Sequence, residues 1–407
     1  MNILYEELLE SENRYDNILH MTANENVMSD VAWKYYSSRA LAQRYRMGSG
    51  TEEVYVHSNF AAKGMPEVDR VITEAEEAAK RMLHAGAVNL NLLSGVHAML
   101  SSVLCVSNPG DTVMSVFSRH GGHFCTKGIL EMTGRKHLFA EYDFENYTFD
   151  VDKLAKQFHE ANAKVLYLDT SVLIRPHPIR ELREKLGEEA IIIYDASHTV
   201  GLIMSDRFQS PLEEGADVIS ANTHKTLPGP HHGMIAFKDA EKGQAANKLM
   251  DGNMYSSTHI NEVLALSVTI LEMEKYGQAF SDQMIKNANY LAKCLEKNGC
   301  EVRKMKDGVY TYDHQIHMYT ELPNREIVQR FLNNGISINT SKALGERLFV
   351  RIGLQEVTRR GMKEAEMEVI ANFFKDIIEG KNILEEVKAF NRQFKDVQYG
   401  FTLEQNE

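Results

Sequence analysis

The chain has 407 residues, 43% of them hydrophobic, with 45 Lys plus Arg against 57 Asp plus Glu and a net charge of −12. That balance is globular rather than disordered, and its acid excess argues against nucleic acid or an anionic membrane surface as the main partner, since both need clustered cations. Cys105, Cys125, Cys294 and Cys300 fall at no metal-like spacing, no apolar run approaches the ~18 residues of a membrane span, and the N-terminus shows no basic-then-apolar leader, so a soluble cytoplasmic protein is expected.

At ~150 residues per domain the length suggests two or three domains. Residues 1–65 read as an irregular N-terminal segment with short helical pieces and the glycine-bearing stretch RMGSGTEE. The run PEVDRVITEAEEAAKRML then places Val68, Val71, Ile72, Ala75, Ala79, Met82 and Leu83 at helical spacing behind a proline. Short apolar runs come next: VNLNLL (88–93), TVMSVF (112–117), KVLYLDTS (164–171), AIIIYDAS (190–197), ADVISANT (216–223) and GMIAF (233–237). Helical patterns such as GVHAMLSSVLCV and IRELREKLG lie between several of them. Continuous apolar strands alternating with helices predict an α/β fold with a mostly parallel central sheet, placed in a large domain over 66–280. Long helices occupy about 240–300, and the pattern over 281–407 predicts a smaller α+β domain.

In an open parallel sheet, ligands bind beyond the carboxyl ends of the strands. After VNLNLL come Ser94, Gly95 and Val96, opening a helix, where free backbone N–H groups suit a phosphate; alone this reads equally as a plain N-cap. After TVMSVF comes His120-Gly121-Gly122-His123, in which a histidine beyond two glycines is able to stack on a flat ring, although a solvated loop is the commoner reading. His120 and His123 are three apart, but no carboxylate or cysteine is spaced to complete a metal set, so no metal is expected. Asp195 ends AIIIY, and an acid there is costly unless paired, or it caps the next element. Lys225 comes after ADVISANT, where desolvation favours the neutral amine, although an exposed lysine is the usual case. Each signal is weak singly. Together they supply a phosphate cradle, a stacking imidazole, a buried acid and a deprotonatable lysine at one end of one sheet, which is what pyridoxal phosphate needs.

The segments NTHKTLPGPHHGMI (222–235), DASHTVGLI (195–203), HGGHF (120–124) and VRIGLQEVTRRGM (350–362) occur in this chain, and over roughly 15–380 it resembles the serine hydroxymethyltransferase family of pyridoxal phosphate enzymes. The resemblance implies the pyridoxal phosphate-dependent transferase fold. It puts the Schiff base on Lys225, the pyridine nitrogen on Asp195 and the stacking ring on His123, with His198 and His224 beside the cofactor. It assigns the substrate carboxylate to Arg351, whose planar fork suits that role. ANEN (23–26) matches the family's Ala-Ser-Glu-Asn, which keeps Glu25 and makes the serine Asn24; with Thr170, Asn24 is expected at the substrate. Tyr45 matches an active-site tyrosine supplied by a neighbouring subunit. The likeness thus implies a homodimer with shared active sites, in which Ser257 or Thr258 reaches the neighbour's cofactor phosphate.

Departures from the family pattern bear on the reaction. Met47 stands where the family has the glutamate that works on one-carbon transfer with tetrahydrofolate, and SGTEEVYVHSNFAAKG (49–64) is longer than the family stretch and lacks its tandem tyrosines. Ser118 and Phe124 replace two leucines that flank the folate ring, Ser341 an asparagine, Val96 a second phosphate serine and His231 an arginine. The expected activity is making or breaking the Cα–Cβ bond of a β-hydroxy-α-amino acid, of aldolase or transaldolase type and without folate. Small amino acids and aldehydes are the expected substrates, and Glu25, His123 or a water the expected proton carrier. Folate-dependent serine hydroxymethyl transfer, another pyridoxal phosphate reaction (transamination, racemisation, β-elimination) and a non-catalytic cofactor-binding scaffold stay open as alternatives.

Overall fold

In a computed structural model of the chain, residues 2–46, 50, 52–342 and 347–403 are described. The apolar runs form strands β1 (Ala87–Leu92), β2 (Thr112–Val116), β3 (Lys136–Ala140), β4 (Val165–Leu168), β5 (Ile191–Asp195), β6 (Val218–Asn222) and β7 (Gly233–Phe237). They make a seven-stranded sheet in the order β1-β7-β6-β5-β4-β2-β3. β7 runs antiparallel to both neighbours, while β2 to β6 pair in parallel. β4 and β7 are buried along their whole length, as strands covered on both faces must be. The core between sheet and helices includes Leu92, Met99, Val113, Leu130, Val165, Tyr167, Ile193, Val218 and Ile235. β3 is the strand that the apolar pattern does not flag. It lies at the sheet edge and begins with an exposed Lys136 and with His137, whose Nε2 is 2.8 Å from Ser115 Oγ.

Two helices carry their stop and start signals in the sequence. Pro66–Leu83 has Pro at its first position and ends on His84 in the left-handed region, φ 52°. Gly95–Val106 is capped by Ser94, whose Oγ accepts from His97 N at 3.1 Å.

The chain divides into two compact units. One comprises residues 27–281 with 399–403 and contains this sheet; the other comprises 2–26, 282–342 and 347–398. The N-terminal segment expected over 1–65 is therefore split between them. Residues 2–26 belong with the C-terminal unit because Leu19–His20 pairs in parallel with Ile336–Ser337, and Asn391 Nδ2 donates to Ile18 O at 3.1 Å. That unit holds an antiparallel three-stranded sheet of β8 (Gln315–Tyr319), β9 (Asn339–Ser341) and β10 (Phe349–Gly353), with β10 in the centre. The helices Asn324–Asn333 and Glu364–Ile378 pack together through Phe331 and Phe374, ring centroids 4.5 Å apart. The division after Ser281 falls inside the 38-residue helix Ile260–Lys297. Among the described residues no helix is long and apolar enough to cross a membrane.

Candidate active site

Beyond the carboxyl ends of β1, β2, β4, β5 and β6 lies a cavity of about 220 Å³, lined by Ser94, Gly95, Val96, His123, Thr170, Asp195, His198, His224 and Lys225, together with Met99, Asp169, Ser171, Ser197 and Asn222. Nine of the predicted site residues thus converge on one space.

Lys225 Nζ donates to His198 Nε2 at 3.1 Å. With its oxygen turned toward the lysine, the Asn222 amide accepts from Nζ at 3.0 Å and donates to Ser197 O at 3.3 Å. Asp195 ends β5 between two neighbours on the sheet. Its Oδ2 accepts from Tyr167 OH on β4 at 3.0 Å, and its Oδ1 accepts from Ser197 N at 2.9 Å. Ser220 on β6, in register with Asp195, lies 3.1 Å from the same phenol. Burial raises the Tyr167 pKa well above its ordinary value, so the phenol stays a neutral donor. The acid that the apolar strand end made expensive is therefore paired within the sheet itself.

At the start of Gly95–Val106, Ser94 occupies the His97 N–H, while the N–H groups of Gly95 and Val96 have no carbonyl inside the helix to bond. Gly95 is required by space, since a Cβ there would sit 2.8 Å from Asn222 Cβ. The Oγ of Thr170 is buried and makes no hydrogen bond among the described residues. An orphaned hydroxyl, two free helix-start N–H groups, an amine and a held carboxylate around one cavity fit a phosphorylated pyridine aldehyde.

His123 is half-buried, its Nδ1 accepts from Cys125 N at 3.3 Å, and Phe124 stacks on it at 4.8 Å between centroids. Burial lowers its pKa, with Asp195 opposing and Lys225 adding to the fall. His224 stacks on His231 at 3.7 Å.

Other candidates lie apart from this cavity. Ser257 and Thr258 line a second cavity of about 480 Å³ with Arg46 and Tyr55. The reason is the tether of their loop: Asn89, in the first half of β1, donates to Tyr255 OH at 2.9 Å, at the strand end away from Ser94. Tyr45 is half exposed, with Lys63 Nζ 6.0 Å from its ring centroid. Met47 lies outside the described residues.

Within the C-terminal unit, Arg351, Asn24 and Glu25 form a group of their own. Arg351 sits on central strand β10 between His317 and Asn339. Its Nε donates to Asn339 Oδ1 at 3.1 Å, and Asn339 Nδ2 donates to Asn24 Oδ1 at 2.8 Å. Burial pushes the guanidinium down to about 10, against the pull of Asp313, so it stays charged at neutral pH. His20, 3.3 Å away, and burial act in opposite senses on Glu25, and the hydrogen bond wins, holding the carboxyl below its ordinary range.

Sequence reasoning missed Tyr167, Asn222 and Asp169. Asp169 lies directly after β4 and is 2% exposed, and burial pushes its carboxyl up to about 7. The rule that singled out Asp195, an acid closing an apolar strand, applies to it equally.

The family model described as serine hydroxymethyltransferase matches residues 2–374. A serine hydroxymethyltransferase of Methanobrevibacter smithii is 30% identical, over 99% of this chain and 96% of that protein. One of Methanocella arvoryzae is 33% identical over 96% and 94%. The fluorothreonine transaldolase of Streptantibioticus cattleyicolor is 33% identical over 90% of this chain and 58% of that protein. Among solved structures, the L-threonine transaldolase of Pseudomonas fluorescens in its internal aldimine state superposes with a TM-score of 0.89 at 27% identity, covering 98% of this chain and 93% of that one.

Proposed function

Because the chain belongs to the serine hydroxymethyltransferase family and is a pyridoxal phosphate-dependent enzyme of amino-acid metabolism, we propose that it is a folate-independent transaldolase, exchanging the aldehyde portion of a β-hydroxy-α-amino acid such as L-threonine for a second aldehyde. The observation that carries the reading is the single cavity holding Lys225, Asp195 and the start of Gly95–Val106. It is supported by the two transaldolases among the relatives and by Met47 in place of the family's folate-side glutamate.

Bound pyridoxal phosphate supplies a sink for the electron pair left on Cα when a bond to that carbon breaks. Lys225 offers the tethering amine, with His198 and Asn222 orienting Nζ. Asp195, oriented by Tyr167 and Ser197 N, would hold the ring nitrogen protonated. The Gly95 and Val96 N–H groups would hold the cofactor's phosphate, Thr170 Oγ would meet the substrate, and His123 would supply the stacking imidazole. Arg351, oriented by Asn339, binds the substrate carboxylate. In the bond-breaking step the β-hydroxyl gives up its proton, the Cα–Cβ bond breaks, the aldehyde leaves and the electron pair stays with Cα. The second aldehyde then forms a new Cα–Cβ bond, and its oxygen takes the proton back. We assign that proton to Glu25, whose carboxyl is held below its ordinary range by the hydrogen bond to His20. A positioned base of this kind contributes ~10²–10⁴ in rate.

The test is purified holoenzyme with L-threonine and an added aldehyde, with and without tetrahydrofolate, products read by mass spectrometry. The reading expects acetaldehyde and a new β-hydroxy amino acid at equal rates in both. Turnover that requires tetrahydrofolate would replace it with folate-dependent hydroxymethyl transfer.

A further inference from the structure

The cavity contains a second carboxylate that the proposed reaction does not use. Asp169 joins three pieces of chain. One oxygen accepts from Val116 N, at the end of β2, at 3.0 Å. The other accepts from His123 N at 3.2 Å and from Thr126 Oγ1, at the start of helix Thr126–Met132, at 2.5 Å. The next residues add to this grip, for Ser171 donates to Gly121 O from its N at 2.8 Å and from its Oγ at 3.0 Å. The loop between β2 and the helix is folded back so tightly that a Cβ on Gly122 would lie 2.0 Å from Val116 O, and one on Gly121 2.3 Å from Val172 Cγ2. A buried carboxylate is an expensive way to fill space, because its charge must be met by donors. Here three donors meet it, and one is the backbone N–H of His123, whose side chain lines the same cavity.

We propose that Asp169 is a positioning residue: its carboxylate fixes the backbone of His123 against the ends of β2 and β4 and so sets the imidazole against the cofactor ring. The inference rests on the reading of His123 as the stacking residue. It adds that the ring's placement is imposed from beneath by a side chain rather than by the loop's own turn. Asp169→Asn separates the two. An amide keeps the shape but turns one oxygen into an NH₂ group, and either orientation leaves one of the two backbone N–H donors, Val116 N or His123 N, facing another donor.

The experiment uses holoenzyme of Asp169→Asn, His123→Ala and the double variant. It reads the visible circular dichroism of the bound cofactor and the rate at which cofactor is released to an apoenzyme acceptor. Each single variant is expected to release cofactor at least fivefold faster with a diminished dichroic signal, and the double variant to match His123→Ala alone, since residues acting through one another are not additive. Wild-type release and dichroism in Asp169→Asn, or effects that multiply in the double variant, overturn the proposal. An unchanged His123→Ala overturns the stacking reading itself and the inference with it, whereas a changed His123→Ala beside an unchanged Asp169→Asn overturns the inference alone. Should Asp169→Asn not fold, Thr126→Val removes one of the carboxylate's donors at constant shape; a release at least twofold faster supports the proposal, and wild-type release contradicts it.

Discussion

Substituting Gly95 by Ala tests the phosphate cradle through geometry alone. The added Cβ would meet Asn222 Cβ at 2.8 Å, with Asn222 Cα and N both at 3.5 Å. Carbon atoms rest at about 3.5–4.0 Å, so roughly 1 Å must be recovered. Asn222 cannot swing its Cβ aside, because its backbone is held in register with Gly233 and its N donates to Ser197 Oγ at 3.0 Å. The start of the helix must therefore lift, taking the Gly95 and Val96 N–H groups with it. Overpacking of this kind costs about 1–3 kcal/mol, and the better helix propensity of Ala returns at most about 1 kcal/mol. Losing the aligned helix start removes up to ~2 kcal/mol of anion stabilisation. A net loss of about 1–2 kcal/mol corresponds to cofactor binding roughly 5- to 30-fold weaker. The assay is equilibrium titration of apoenzyme with pyridoxal phosphate, monitored by visible absorbance. Gly128→Ala is the control, since a Cβ there meets nothing within 4 Å, and its cofactor affinity should equal that of the parent. Parent affinity in Gly95→Ala would refute the assignment of this helix start to the phosphate.

Three further outcomes are expected from the same geometry. Tyr167→Phe removes the phenol that donates to Asp195 Oδ2, and the loss of a hydrogen bond to a charged group should lower apoprotein stability in urea by about 1.5–3 kcal/mol; an unchanged midpoint would show that Asp195 is oriented by other means. Arg351→Lys replaces a fork with a point charge and should raise the half-saturating amino-acid concentration about tenfold or more, leaving cofactor affinity at the parent level; equal half-saturation would remove Arg351 from the carboxylate. His20 carries a pH signature. Burial lowers its pKa, but Glu25, Glu356 and Tyr15 O together raise it above the ordinary 6.5. A histidine raised on folding contributes stability that is complete below 6.5 and fades as pH rises through the higher folded value. Glu25, depressed on folding, contributes above its ordinary 4.5 and fades as pH falls through the lower folded value. Urea midpoints of the parent should therefore fall more steeply from pH 6 toward pH 9 than those of His20→Gln, and parallel curves would contradict the pairing.

The large sheet was legible because strands covered on both faces must be apolar along their whole length, and β4 and β7 show that pattern without interruption. β3 was not, since an edge strand bonded on one side tolerates the polar start of KHLFA. The attachment of residues 2–26 to the C-terminal unit was hidden for a different reason. It rests on a two-residue parallel pairing across more than 300 positions, Leu19 with Ile336, which no local period encodes. At the site, Lys225, Asp195, His123 and Ser94 were readable from their places just beyond the strand ends. Tyr167 was not, because inside an apolar strand it is indistinguishable from a core residue until its hydroxyl is seen against Asp195. Asp169 was readable in principle, as an acid closing the apolar run of β4, but the motifs shared with the family did not single it out.

Every role assigned above depends on Lys225 being the amine that tethers pyridoxal phosphate. Holoenzyme reduced with borohydride, digested and mapped by mass spectrometry tests it directly. A phosphopyridoxyl group is expected on the peptide containing Lys225 and none in Lys225→Ala. A modified lysine elsewhere, or an unmodified Lys225 in protein that holds its cofactor, would contradict it.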